Sequence, residues 1–332
     1  MKALMYLGPE RLEMQEMPEP VGDFIIKVAV CGICGTDIKT YLKGHPFFKP
    51  PTVLGHECTG TIVRAPKGSR FKTDDLVAVA PYLECGRCEL CLRGFGQLCQ
   101  EKSFISGGAF CEYISIPAGF EQAGGVRAIP HAVGSDARME AAVAYTLVEP
   151  LACVLNGTEH LAAGPRSKIL VVGSGPMGTL FALYYLQQGL LVTVLEPNEI
   201  RRNIVSAWGI NCQDPEGFDV ASYDKVVIAV NKAELVGEYL SKVADGGTVL
   251  LFSGLRKEES LSIDSYSVHY REVSLTGSYG YMRRHFDAAF EMIARNPTHY
   301  RQLITHTFPL EAGKAAFELS RSGTALKAAI LV

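Results

Sequence analysis

The sequence predicts an α/β protein in two parts, a β-rich first part and a doubly wound parallel-sheet domain. Three observations predict it. Up to about residue 150 the chain runs in short β-branched stretches broken by Gly and Pro. From Lys168 onward, apolar runs alternate with helical segments. A glycine-rich loop stands where the first of those runs meets its helix. At 332 residues the chain is long enough for each part to bury its own core.

The elements follow in order. Ile25-Ile26-Lys27-Val28-Ala29-Val30, Thr59-Gly60-Thr61-Ile62-Val63 and Leu76-Val77-Ala78-Val79 read as strands between turn residues. In the second part, Lys168-Ile169-Leu170-Val171-Val172 leads into a helix from about Met177 to Gln188. Leu191–Leu195 follows, then a helix near Arg201 to Trp208, and buried strands at Lys225–Val230 and Thr248–Phe252. Near-continuous apolar runs of this kind suit a parallel sheet covered on both faces. After Gly277 the tail holds a helix near Phe286 to Ala294, then Phe308-Pro309-Leu310 and a second helix.

Gly173-Ser174-Gly175-Pro176-Met177-Gly178 is G-x-G-x-x-G, placed after an apolar strand and opening a helix. Gly173 allows the tight turn, Gly175 lets a pyrophosphate approach the backbone, and Gly178 lets helix and strand pack closely. Pro176 and Met177 start the helix whose positive end would face the phosphates. Glu196 ends the next strand, where a carboxylate accepts hydrogen bonds from the adenosine ribose diol and repels a 2′-phosphate. That favours NAD over NADP, although Arg201 beside it is a residue that could accommodate the phosphate.

Cys85, Cys88, Cys91 and Cys99 form C-x2-C-x2-C-x7-C. Four thiolates close a tetrahedral shell around Zn²⁺ and leave no position for a reactant, so the expected role is structural. Two disulfides or an iron–sulfur cluster use the same residues, and spacing alone does not exclude the cluster.

A second set of donors can leave a metal open. Cys34, in Cys31-Gly32-Ile33-Cys34-Gly35-Thr36-Asp37, and His56, in Gly55-His56-Glu57, offer one thiolate, one imidazole and a carboxylate. Such a site acts as a Lewis acid that makes an alcohol easier to deprotonate. Thr36 could relay the hydroxyl proton, and Asp37 could orient the His56 ring. Read singly, Cys34 is also a plausible small buried residue and His56 a satisfied polar group.

Composition narrows the field further. A net charge of −3 gives no electrostatic case for nucleic acid. No run of eighteen apolar residues is present, which argues against a membrane span, and Met1-Lys2-Ala3-Leu4-Met5-Tyr6 does not read as a signal peptide. The ten cysteines are then expected to be reduced or metal-bound in the cytoplasm.

Taken together, Cys-Gly-Ile-Cys-Gly-Thr-Asp at 31–37, Gly-His-Glu at 55–57, the four cysteines, Glu-Pro-Leu at 149–151, the glycine loop and Ile304–Glu311 carry a resemblance. The chain resembles the zinc-containing medium-chain dehydrogenases, in particular the sorbitol, threonine and glucose dehydrogenase branch, over nearly its whole length. The resemblance implies a GroES-like catalytic domain from residues 1–150 and 279–332, with a structural zinc lobe at about 82–102. A Rossmann domain at 151–278 is inserted, with the active site in the cleft between. It implies two zinc ions per chain and NAD. Cys34 and His56 would be catalytic zinc ligands, Glu57 a ligand or close neighbour, and Glu149 an acid that approaches the zinc directly or through water.

Two departures are visible. Lys39 stands where the family often has the histidine that ends its proton relay, and Tyr279-Gly280-Tyr281 replaces a stretch resembling Phe-Arg-Tyr. Lys39 is a candidate relay residue only if its ammonium can give up a proton. Tyr281 is a candidate for hydrogen-bonding a substrate hydroxyl. The implied substrate is a small-molecule secondary alcohol of a polyol, cyclitol, aminocyclitol or sugar, with a threonine-type amino alcohol or a sugar phosphate as alternatives. A catalytically inactive NAD-binding sensor or scaffold is the reading from a different class. The family also implies a homodimer or homotetramer.

Overall fold

The computed structural model describes residues 1–130 and 134–332. Before the second part come β1 (Lys2–Gly8), β2 (Arg11–Glu16), β3 (Ile25–Gly32), α1 (Gly35–Lys43), β4 (Thr52–Val53), β5 (Glu57–Arg64) and β6 (Leu76–Val79). Then follow β7 (Tyr82–Leu83), α2 (Glu89–Leu92), β8 (Ser103–Phe104), β9 (Tyr113–Ser115), β10 (Val126–Ala128), α3 (Ser135–Tyr145) and α4 (Val148–Leu161). The second part holds β11 (Lys168–Val172), α5 (Pro176–Gln187), β12 (Leu191–Leu195), β13 (Asn211–Gln213), β14 (Lys225–Ile228), β15 (Thr248–Leu251) and β16 (Ser274–Gly277). Strands β17 (Ile304–Pro309) and β18 (Lys327–Leu331) close the chain.

Contacts divide these elements into two units, Met1–Ala152 with Tyr281–Val332, and Cys153–Gly280. In the first, a seven-stranded sheet runs β10-β6-β5-β3-β18-β17 with β9 added on β3. The C-terminal β18 therefore lies directly beside β3, which it pairs antiparallel, with Ala329 opposite Gly32. On its other side β3 pairs β5, with Gly32 opposite Glu57. Alternate residues of β3 pack inward: Ile26, Val28 and Val30 are all fully or almost fully buried.

The second unit is a six-stranded sheet in the order β13-β12-β11-β14-β15-β16, parallel throughout. Strand β11 is the point where the order reverses, and ligands of open parallel sheets bind beyond the carboxyl ends of strands at such a point. Ile169, Leu170, Val171 and Val194 are fully buried, as expected for strands covered on both faces.

Two helical regions carry no strong mark in the sequence. Helix α1 begins at a cysteine N-cap rather than the usual Ser, Thr, Asp or Asn. The stretch Ser135–Leu161, α3 and α4 taken together, is, among the described residues, the one helical segment apolar and long enough by composition to cross a membrane. Its most apolar window is 78% buried within the protein, so that apolarity is satisfied by the core. The helix expected from Arg201 starts at Glu199, because the Asn198 side chain accepts from the Arg201 N–H and sets the first turn.

Candidate metal centres and dinucleotide loop

Cys34 is the N-cap of α1, and its sulfur accepts from the Thr36 N–H at 3.5 Å. Asp37, three residues on, accepts from the Cys34 N–H at 2.9 Å, closing a capping box. The other oxygen of Asp37 takes the Gly55 N–H at 3.3 Å and lies 3.6 Å from Nδ1 of His56. One carboxylate, 1% exposed, thus fixes both the cysteine turn and the histidine turn. Burial would lower the His56 pKa, but the nearby Asp37 and Cys34 charges outweigh it and hold the imidazole well above its ordinary 6.5.

Ligand atoms of Cys34, His56 and Glu57 all lie within 4.8 Å of one another. A thiolate, an imidazole and a carboxylate grouped in this way fit a zinc site with an open position. Cys31, on the same motif, is different in kind. It is fully buried on β3, and burial, with Cys58, Asp37 and Glu57 nearby, raises its thiol far above the usual range. Glu149, in the first turn of α4, is 8% exposed and close enough to Lys327 to raise its pKa. Thr36 and Lys39 sit on α1 beyond Cys34; Thr36 is half-buried and Lys39 exposed.

Lys327 has no counterpart in the sequence reading. Its ammonium lies 2.6 Å from Glu57 Oε2 and donates to the Ile33 carbonyl at 3.1 Å. The two side chains are 2% and 1% exposed. Burial works against the charge on Lys327, but Glu57, Cys34 and Glu149 together raise its pKa above the ordinary 10.5. Oε2 meets the ammonium without hydrogen-bond geometry, and Oε1 is buried with no hydrogen-bond partner. An oxygen in that state is suited to a cation. A lone lysine in the last strand, flanked by Ala325-Leu326 and Ala328-Ala329, gives no sign of this role in one sequence.

The four cysteines of the lobe stand with sulfurs 3.5 Å (Cys88–Cys91), 3.8 Å (Cys88–Cys99) and 3.9 Å (Cys85–Cys91) apart. Sulfurs about 2.3 Å from one tetrahedral zinc stand ~3.8 Å apart, so the set fits the ion. A disulfide needs ~2.05 Å, and all ten cysteines are free. Backbone N–H groups of Cys85, Cys88 and Glu101 point at the sulfurs of Cys99, Cys85 and Cys99, at 3.3–3.4 Å.

In the second unit, Gly173 has φ +99°, and a Cβ there would lie 2.4 Å from Val230. A Cβ on Gly178 would meet the Gly173 carbonyl at 1.9 Å, whereas at Gly175 it would meet nothing within 4 Å. The first and third glycines are therefore required by the fold, and the second leaves open space at the N-terminus of α5 where Pro176 and Met177 follow. Glu196, 5% exposed, accepts from the N–H and hydroxyl of Ser174 at 3.0 Å and from the Asn198 N–H at 3.0 Å. Arg201 lies 4.0 Å from the same carboxylate. Arg202 is committed to the Glu196 and Pro197 carbonyls and to Asp214.

Tyr281 requires a correction. It is fully buried, stacked on Tyr82 at 4.6 Å between ring centres, and its hydroxyl donates to the Tyr82 carbonyl at 3.4 Å. Its neighbour Tyr279 is the exposed one, at 63%. Tyr281 therefore holds the tail against the first unit, and its hydroxyl is not presented to a substrate.

Residues 20–134 match the alcohol dehydrogenase GroES-like domain family, and residues 142–331 match the glucose dehydrogenase C-terminus family. The chain is 31% identical to the L-galactonate-5-dehydrogenase of Escherichia coli (strain K12), covering 96% of this chain and 94% of that one. It is 29% identical to the D-altritol 5-dehydrogenase of Agrobacterium fabrum, covering 93% of each. A protein of Sinorhizobium meliloti 1021 solved with NADP bound superimposes with a TM-score of 0.85 at 25% identity, over 100% of this chain and 99% of the other.

Proposed function

Since the chain belongs to the zinc-containing medium-chain dehydrogenases, in their polyol dehydrogenase branch, and is an oxidoreductase of the alcohol dehydrogenase type, we propose that it oxidises a secondary alcohol of a polyol or sugar acid with NAD. The observation that carries this reading is the grouping of Cys34, His56 and Glu57 within 4.8 Å. Those three residues would hold a zinc ion, with Glu149 as the nearby acid, and when bound the ion supplies Lewis acidity at the reacting hydroxyl. Cys85, Cys88, Cys91 and Cys99 would hold a second ion that only maintains the lobe.

The protein's own groups account for the remaining steps. Asp37 holds the His56 ring and the Cys34 turn in one geometry, so the metal ligands are positioned before substrate arrives. The Thr36 hydroxyl accepts the substrate's proton and passes it along the exposed side of α1, where Lys39 stands one turn further. Gly173, Gly175 and Gly178 seat the dinucleotide phosphates, with Pro176 and Met177 at the helix start, and Glu196 accepts from the ribose diol. A nicotinamide held by that loop would supply the hydride acceptor. Glu196 already holds three donors, and Arg201 at 4.0 Å neutralises part of its charge, so discrimination against NADP is incomplete. A cytoplasmic homodimer or homotetramer belongs to the same reading, which ten free thiols support for compartment.

The test is a panel of polyols, aldonic acids, cyclitols, amino alcohols and sugar phosphates with NAD and with NADP, followed by the absorbance of the reduced cofactor. The expected result is turnover of a polyol or aldonic acid that Cys34→Ser abolishes. Turnover of none of them by zinc-loaded protein, or full activity in Cys34→Ser, would overturn the reading.

A further inference from the structure

Glu57 belongs to β5 and Lys327 to β18, and these strands do not touch; β3 lies between them. The carboxylate reaches the ammonium by crossing over Gly32, the β3 residue paired with Glu57 on one side and with Ala329 on the other. A Cβ on Gly32 would stand 2.2 Å from Glu57 Oε2 and 3.3 Å from its Cβ and Cδ. The missing side chain is what opens the passage. At its far end Lys327 is held by the Ile33 carbonyl, one residue before Cys34. Ammonium, carboxylate and thiol turn thus form one buried chain.

From this we infer that Lys327 is a positioning residue for the metal centre. By holding Oε2 across Gly32, it leaves Oε1, buried and without a hydrogen bond, as the oxygen offered to a metal beside Cys34 and His56. Its fixed positive charge also offsets that of Glu57, so a divalent ion there keeps more of its net charge and acid strength than an unneutralised carboxylate would allow. The same charge weakens the grip on the ion. Lys327 exchanges metal affinity for Lewis acidity.

This role rests on the metal-centre reading above, and the experiment separates the two. Full-length protein is stripped of metal and titrated with zinc against a chelator, then loaded with cobalt and its ligand-field spectrum recorded. Cys34→Ser reports on the centre itself: if zinc stoichiometry and the cobalt spectrum are unchanged in that variant, the metal-centre reading fails. Lys327→Met keeps the length of the side chain and removes its charge. Expected are tighter zinc binding by about tenfold or more and a shifted cobalt spectrum, because an unpaired buried carboxylate gains most from a cation. Lys327→Arg should restore the spectrum and affinity towards those of the parent.

The decisive comparison adds Lys327→Met to Glu57→Gln. If Lys327 acts through Glu57, the charge removal changes zinc affinity less than about twofold in that background. Equal effects with and without the Glu57 charge, or an unaltered affinity and spectrum in Lys327→Met, would overturn the assignment. Because the doubly neutral protein buries no unpaired charge, it keeps the comparison available even where Lys327→Met alone folds poorly.

Discussion

Glu57 and Lys327 are 2.6 Å apart in the folded protein, in strands separated by β3, and meet because Gly32 between them has no side chain. The consequence is testable at the glycine. Gly32→Ala places a methyl 2.2 Å from Oε2, and the carboxylate must give way. We expect ~1–3 kcal/mol of destabilisation from overpacking, read in denaturant melts, together with loss of most alcohol oxidation. Wild-type stability with wild-type turnover would show that the crossing tolerates a side chain.

The His56 environment sets the direction of a pH effect. In metal-free protein its pKa is raised, so its contribution to folding is fully present below the unfolded-state value and is lost as pH rises through the raised one. Zinc needs the neutral imidazole, so metal competes with the proton. The gain in Tm on adding zinc should therefore grow with pH across the region above 6.5, and zinc at this site should be shed on acidification earlier than from a histidine of ordinary pKa. Melting curves of stripped and loaded protein over a pH series give both quantities. A zinc increment independent of pH would show that His56 is not a ligand.

The cysteine lobe should separate from the chemistry. Cys99→Ser removes one of four sulfurs that lie within 4.8 Å of each other, together with the acceptor for two backbone N–H groups. One equivalent of zinc should be lost and residues 85–99 should become cleavable by added protease, because a structural zinc supplies folding energy to its loop. The Cys34-dependent zinc should remain. Loss of both ions together would mean that the lobe is not independent.

On the proposed reading, cofactor choice should depend on Glu196. Glu196→Ala removes the proposed ribose acceptor and the carboxylate 4.0 Å from Arg201, so the Kd for NADH should rise by roughly tenfold, about 1.4 kcal/mol, while NADPH binds as well as before or better. Fluorescence titration of both reduced cofactors measures it. An unchanged ratio would remove Glu196 from cofactor selection. Ser174 loses two hydrogen bonds in the same variant, so Glu196→Gln, which keeps an acceptor, should retain more NADH affinity than Glu196→Ala.

The parts of the site that were legible in the sequence are those whose chemistry is local. Cys85 to Cys99 close on themselves within one loop, Gly173 to Gly178 act within one strand-to-helix turn, and Cys34 with Asp37 forms a single helix cap. For such groups spacing along the chain is nearly spacing in space. Tyr281 shows where that stops: its hydroxyl suggested a substrate contact, yet packing on Tyr82 and Phe286 buries it completely. Burial is a property of the assembled core, which a tripeptide of tyrosines around a glycine does not encode.

By itself, then, the sequence determined the two-part α/β organisation, the sulfur lobe, the glycine turn and the set of donors around Cys34 and His56. The tertiary structure decided which charge stands beside Glu57. Strand order makes the difference. Lys327 and Glu57 are far apart along the chain, and only the insertion of β3 between β5 and β18, with a glycine at the crossing, brings ammonium and carboxylate together.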